Sequence, residues 1–254
     1  MSSDATWLDI DSRVILAGHQ PACLIDLALG RGIDSHRLLR GSGLFYEDLL
    51  LPDTRLSAAQ YLRLLDNART LLDAADSSFL LGQRLLPGHY GAASNLLLHA
   101  DTLLQALERL ASCRALLSPL LAPRLHLDDH HVYLYWRETF GLGRNRRFLL
   151  EAGMTAVTSL GRSLVGQALP WEYQLGWAQP DYVEQYWVHM GERLRFEAPV
   201  SCMRLPREYV VRKPMAASAM LEQIAAQQTR QILQGLPASD SLSEAVFDHL
   251  YLEG

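Results

Sequence analysis

Apolar positions along this chain change their spacing near residue 119. Before it they recur at intervals of three and four. Residues 14–29 are mostly apolar and stop at Gly30-Arg31-Gly32, which predicts a helix, and Asp34 is placed to cap a short segment that runs through Leu39 to Gly41-Ser42-Gly43. Ser57 with Gln60 three positions on forms a capping-box pair. Tyr61, Leu64, Leu65, Ala68, Leu71 and Leu72 follow at helical spacing, an amphipathic helix. Residues 78–86 predict a shorter helix before Pro87-Gly88, and Thr102 with Gln105 opens another that carries Leu103, Leu107, Leu110 and Ala111. Residues 13–118 therefore read as mainly helical.

After Pro119 and Pro123 the period shortens to two. Leu125-His126-Leu127 and Val132-Tyr133-Leu134-Tyr135-Trp136 flank Asp128-Asp129-His130-His131 as two strands flank a turn. Residues 148–169 return to a helix, and 171–177, 194–196 and 202–205 are strand candidates. Asp181 with Glu184 is placed to cap a short helix holding Tyr182, Tyr186 and Trp187. One long helix over 216–233 has Met220, Ile224, Ala225 and Ile232 as its apolar positions; Pro237-Ala238-Ser239-Asp240 reads as a linker, and Ser241 with Glu244 as a further helix start. The expected fold is α+β: a helical N-terminal part packed on a small, mainly antiparallel sheet, with a long C-terminal linker helix. The expected organisation is one unit over 1–235 (helical 13–118, α+β 119–215, connecting helix 216–235) followed by a linker from 236.

Composition narrows the function classes. A chain of 254 residues with 49% hydrophobic and 20% charged residues can bury a core without metal or disulfide support. A net charge of -5 argues against strong nucleic-acid binding by these residues, because phosphate neutralisation needs a surplus of Lys and Arg. Cys23, Cys113 and Cys202 are odd in number and widely spaced, which favours a reducing cytoplasm over a disulfide framework. No apolar run is long enough to span a membrane and no export signal opens the chain.

Several local patterns, taken in order, resemble one family. Leu27-Ala28-Leu29-Gly30-Arg31-Gly32-Ile33-Asp34 with Leu38-Leu39, then the stretch from Asp76 to Leu85, then Gly91 with the stretch from Leu96 to Leu107, and finally Tyr186 to Phe196 with Ala198-Pro199-Val200 and Leu205-Pro206, span roughly residues 13–215. Their order is similar to the N-terminal "arabinose-binding" type of sensor domain in AraC/XylS-type transcriptional regulators, in the group of ornithine-utilisation and quorum-modulating regulators. The usual Pro after Asp76 is absent and the Gly-Leu order that follows is altered. The resemblance implies a small-molecule effector, a homodimer, and DNA contact only through a C-terminal helix-turn-helix domain, whose approach residues 236–254 would be. It implies no cofactor.

Candidate chemistry is sparse. His126, His130 and His131 beside Asp128 and Asp129 are the densest group of metal-ligand types. Adjacent strand residues point to opposite faces, however, and a polar hairpin tip explains the group, so no metal is expected. Gly141-Leu142-Gly143 with Arg144, Arg146 and Arg147 reads as a flexible basic connection rather than a phosphate loop; the three arginines could meet an anionic ligand or partner, but a solvated loop is favoured. No nucleophile elbow, zinc-protease, Walker or dinucleotide motif is present, and no catalytic residue is assigned. The aromatics of the second half suit either a pocket with a few orienting polar groups or a plain core; Tyr133, Tyr135, Trp171, Trp177 and Tyr186 are the candidate ligand-binding residues. An effector-sensing, dimerising regulator domain is the leading expectation, and a stand-alone protein-interaction module without effector is the alternative.

Overall fold

The computed structural model of the protein describes residues 8–236. Its first part comprises β1 (Arg13–Leu16), α1 (Gln20–Gly30), α2 (Ser35–Leu38), α3 (Tyr46–Leu49), β2 (Arg55–Ser57), α4 (Ala58–Leu72), α5 (Ser77–Leu85), α6 (Ala92–Leu98), α7 (Leu103–Ser112) and α8 (Arg114–Leu117). Its second part comprises β3 (Leu121–Leu127), β4 (His131–Glu138), a 3-10 turn (Gly143–Asn145), α9 (Arg146–Val165), β5 (Glu172–Gln174), α10 (Val183–His189), β6 (Leu194–Arg195), β7 (Cys202–Pro206), α11 (Arg207–Val210) and α12 (Ala219–Gln234). The fold is α+β.

The helix starts follow local chemistry. The Asp34 carboxylate accepts the backbone N–H groups of His36 and Arg37. At α4 the Ser57 hydroxyl accepts from Gln60 N–H at 3.2 Å while the Gln60 amide oxygen accepts from Ser57 N–H at 3.1 Å, so two orphan donors are satisfied reciprocally. Thr102 accepts from Gln105 N–H at 3.1 Å, but the Gln105 side chain reaches one residue further back, to Asp101 N–H at 2.7 Å.

Two expected elements differ, and α12 forms as expected. The apolar stretch 14–29 is not one helix, because Arg13–Leu16 pairs antiparallel with β2 and sets Ile15 opposite Leu56. The helix begins only at Gln20, with Pro21 in its first turn. Asp181 caps nothing, because α10 starts after Tyr182 and has no side-chain cap. Along α12 the buried residues are Ala225 and Thr229, whereas Met220, Leu221, Ile224 and Ile232 face solvent. The expected helix start at Ser241 and the linker at 237–240 lie outside the described residues.

Among the described residues the strands form a two-stranded sheet, β1-β2, and a five-stranded sheet in the order β3-β4-β7-β5-β6. The larger sheet is antiparallel except for β5 with β6. Its register runs Leu125, Leu134, Met203 and Tyr173 across four strands on the inner face, and His126, Tyr133, Arg204 and Glu172 on the outer one. Only the first row is apolar, which fixes the side that meets the core.

α9 is the central support of that core. Its Thr158 hydroxyl hydrogen-bonds Tyr173 at 2.7 Å, and Trp136 lies against Gly153. On its other flank α5 approaches so closely that a Cβ on Gly82 would stand 2.5 Å from the Ala152 carbonyl oxygen and 2.7 Å from Thr155 Cβ. Only glycine permits that approach. The far end of α9 holds the chain leading to α12, through Met215 N–H donating to the Leu164 carbonyl at 2.9 Å. α12 itself is pinned to α7 by the Arg109–Glu222 salt bridge at 2.8 Å.

Candidate functional site

Close packing of α5 on α9 buries a charge. Glu151 stands on the second turn of α9 and is 3% exposed, so its carboxylate needs donors to replace lost water. Four groups supply them. The Ser78 hydroxyl of α5 donates to Oε2 at 2.7 Å. Oε1 receives Arg147 Nε at 2.9 Å, the Tyr182 hydroxyl at 3.2 Å and the Tyr186 hydroxyl. Oε1 is thereby crowded while Oε2 carries one donor.

Arg147 belongs to the same assembly. Its guanidinium lies 5.4 Å from the Trp177 ring centroid and 5.2 Å from that of Tyr182, a cation held against two aromatic faces. The Tyr186 hydroxyl accepts from Arg147 Nη2 at 3.3 Å and from the Trp177 indole at 2.9 Å. Burial opposes the Arg147 charge, but its bonds to Glu151 and Tyr186 outweigh that and raise its pKa. Loss of water, with the Glu151 charge adding to it, pushes the Tyr182 phenol up to about 12 and raises Tyr186 too. Both phenols stay protonated donors at neutral pH.

A cleft of about 320 Å³ opens onto this carboxylate. Arg69 and Asp73 at the end of α4 form one wall, Phe148 and Tyr182 supply aromatic surface, and Ser78 and Glu151 form the floor. Arg69 Nη1 donates to the Arg144 carbonyl and the Asn145 side chain, both at 2.8 Å, and its guanidinium lies over Phe148 at 5.6 Å. Asp73 is an αL residue at the end of α4, with φ 39°, and its carboxylate is exposed.

The expected site residues divide between three places. Trp177 and Tyr186 join the Glu151 assembly directly. Trp171 is buried beside Gly161, and its indole nitrogen has no hydrogen-bond partner. Tyr133 and Tyr135 lie on the outer face of β4, where Tyr133 sits between the His126 and His131 rings. Sequence reasoning missed Glu151, Ser78, Arg69 and Asp73, and placed Arg147 in a basic run favoured as a solvated loop. One signal was available: an acidic residue in the apolar run Phe148-Leu149-Leu150-Glu151-Ala152, four positions after an arginine.

The basic stretch that read as a flexible connection is a structured helix start. Arg144 pairs with Asp66 at 2.8 Å, Arg146 with Glu138 at 2.8 Å, and Arg147 with Glu151. At the hairpin tip the Asp128 carboxylate accepts the N–H groups of His131 and His130, which hold its pKa down at about 2. Among the described residues no group of three or more His, Cys, Asp or Glu is placed to hold a metal ion, and no helix is long and apolar enough to cross a membrane.

A helical half packed on a small mixed sheet, a charged cleft, and a long C-terminal helix are the parts that a related protein would have to share. Residues 32–214 match the family described as the arabinose-binding domain of AraC transcription regulators, N-terminal, and the chain belongs to that family. It is 27% identical over 221 residues to the ornithine utilization regulator of Pseudomonas aeruginosa, a match covering 86% of this chain and 65% of that protein. The chain thus spans about two thirds of that relative's length. Its fold is also that of the transcriptional regulator CdpR from Pseudomonas aeruginosa, with a TM-score of 0.60 at 18% identity over 81% of this chain and 60% of the other.

Proposed function

We propose that this chain is the effector-sensing and dimerising part of an AraC-type transcriptional regulator, acting in the cytoplasm, and that its small-molecule effector binds in the Glu151 cleft. The observation that carries this reading is the placement of α9. At twenty residues it is roughly 30 Å long. Its first turns carry Arg147 and Glu151, and its last turn holds the segment that enters α12. An effector that draws Ser78, Tyr182 or Arg69 toward Glu151 in one arrangement of these helices more than in another shifts their populations, whereas equal affinity for both would shift nothing. In this reading residues 1–235 form the sensing unit and 236–254 lead toward DNA-binding units. Trp177 and Tyr186 act by holding Arg147 and Glu151 in place. No catalytic step is assigned.

Dimerisation is assigned to α12. Met220, Leu221, Ile224 and Ile232 are each more than 40% exposed along one helix, and such a face suits a second copy of the same helix. The test of both parts is a thermal-shift screen of amino acids, sugars and fatty acids, with light scattering on the same samples across a dilution series. A ligand that binds only the folded chain raises its melting temperature. The expected result is a dimer with at least one stabilising compound class. A flat screen from a concentration-independent monomer would contradict the reading, and a flat screen from a dimer would favour a stand-alone interaction module.

A further inference from the structure

We infer that the Glu151 cleft takes a small zwitterion carrying an ammonium and a carboxylate a few bonds apart, in chemical class an α-amino acid. The inference rests on the reading of the chain as a small-molecule sensor and names the ligand chemistry of the same cleft. Charge balance points this way. The walls carry Arg69 against Asp73 and Glu151, and the second cation, Arg147, lies behind Glu151 and is spent on it. Two cations and two anions cancel, so a lone ammonium or carboxylate would enter with its charge uncompensated, while a zwitterion would not.

The free hydrogen-bonding capacity has the matching pattern. Both hydrogen bonds from Arg69 use Nη1, which leaves Nε and Nη2 without a protein acceptor among the described residues; a guanidinium edge of that kind suits a carboxylate. Asp73 has no protein donor among the described residues, and Glu151 Oε2 receives only Ser78, so both can accept from an ammonium. Arg69 in the last turn of α4 and Asp73 at its C-cap line the same cleft, which offers a cation and an anion to one compact zwitterion. A volume of about 320 Å³ leaves room for a side chain against Phe148 and Tyr182, and lies at the small end of ligand sites, about 300–1,000 Å³.

Calorimetric titration of the full chain with the twenty protein-forming L-amino acids and L-ornithine tests this, followed by the best binder's deaminated acid and decarboxylated amine. The expected result is binding by at least one amino acid, at least tenfold weaker binding by either half, and at least tenfold loss in both Arg69→Gln and Asp73→Asn. Asp73→Asn changes an exposed side chain at a left-handed position that asparagine adopts readily, so a loss there reports on the ligand. The inference is overturned if no amino acid binds, if either half binds as tightly as the whole, or if both variants bind unchanged. A sugar or fatty acid that binds where amino acids do not would overturn this inference while leaving the sensor reading intact. Silence from every compound class would count against both.

Discussion

A carboxylate buried as deeply as Glu151 must find donors inside the protein, and it finds them on α5, α9, α10 and the loop before α10. Histidine poses the opposite problem. His19 sits between the Tyr90 ring, at a centroid distance of 4.9 Å, and the Leu116 carbonyl, 3.2 Å from Nδ1. Burial pulls its pKa down from the usual value, and the Leu116 carbonyl only partly restores it. A histidine with a depressed folded pKa binds its proton more readily when unfolded. Folding stability from this site is therefore present above the ordinary histidine pKa, about 6.5, and is lost as pH falls through the folded value. The expected outcome is a melting temperature that rises between about pH 5 and 7. His19→Gln should flatten that rise, and an unchanged slope would assign it to other groups such as His189, which burial also depresses against the pull of Asp76.

Between elements, the tightest fit is α5 against α9 at Gly82. A methyl group there would press on the Ala152 carbonyl and the Thr155 side chain, so Gly82→Ala must push the helices apart. Overpacking of this kind costs about 1–3 kcal/mol, read as a lowered denaturant midpoint. The same separation would lengthen the Ser78–Glu151 hydrogen bond and loosen the cleft floor. Elements whose rules are local were legible in the sequence: the Asp34 cap, the Ser57–Gln60 box, and the hairpin, whose Leu127 and Val132 pair as its alternation predicts. Arg13–Leu16 was not legible, because a short apolar strand paired with residues forty positions away looks like the opening of the helix that follows it. The helix at α12 was legible, but the side it turns to the core was not. Periodicity identifies two faces of a helix but not which of them meets the core, and here the small residues Ala225 and Thr229 let α12 settle against α6.

For the whole molecule, the cleft collects residues from position 69 to position 182, and no window of sequence contains it. The aromatic half of the site was visible as composition: Trp177 and Tyr186 are two of its supports, and Tyr182 one of its walls. The charged half was hidden because each member has a bland local reading: Arg147 in a basic run, Asp73 at a helix end, Glu151 as one acid in an apolar helix. Only the approach of α5 to α9 turns them into one site, and α9 runs from that site to the segment that enters α12.

Hydrogen–deuterium exchange of the full chain, with and without a saturating amino acid that binds in the titration, tests that connection most directly. The account predicts slower exchange at 69–78, 147–151 and 182–186, together with a change along 212–233, where the connecting helix begins. Protection confined to other segments, such as the outer sheet face around 124–135, or protection in the cleft with no change along 212–233, would contradict it.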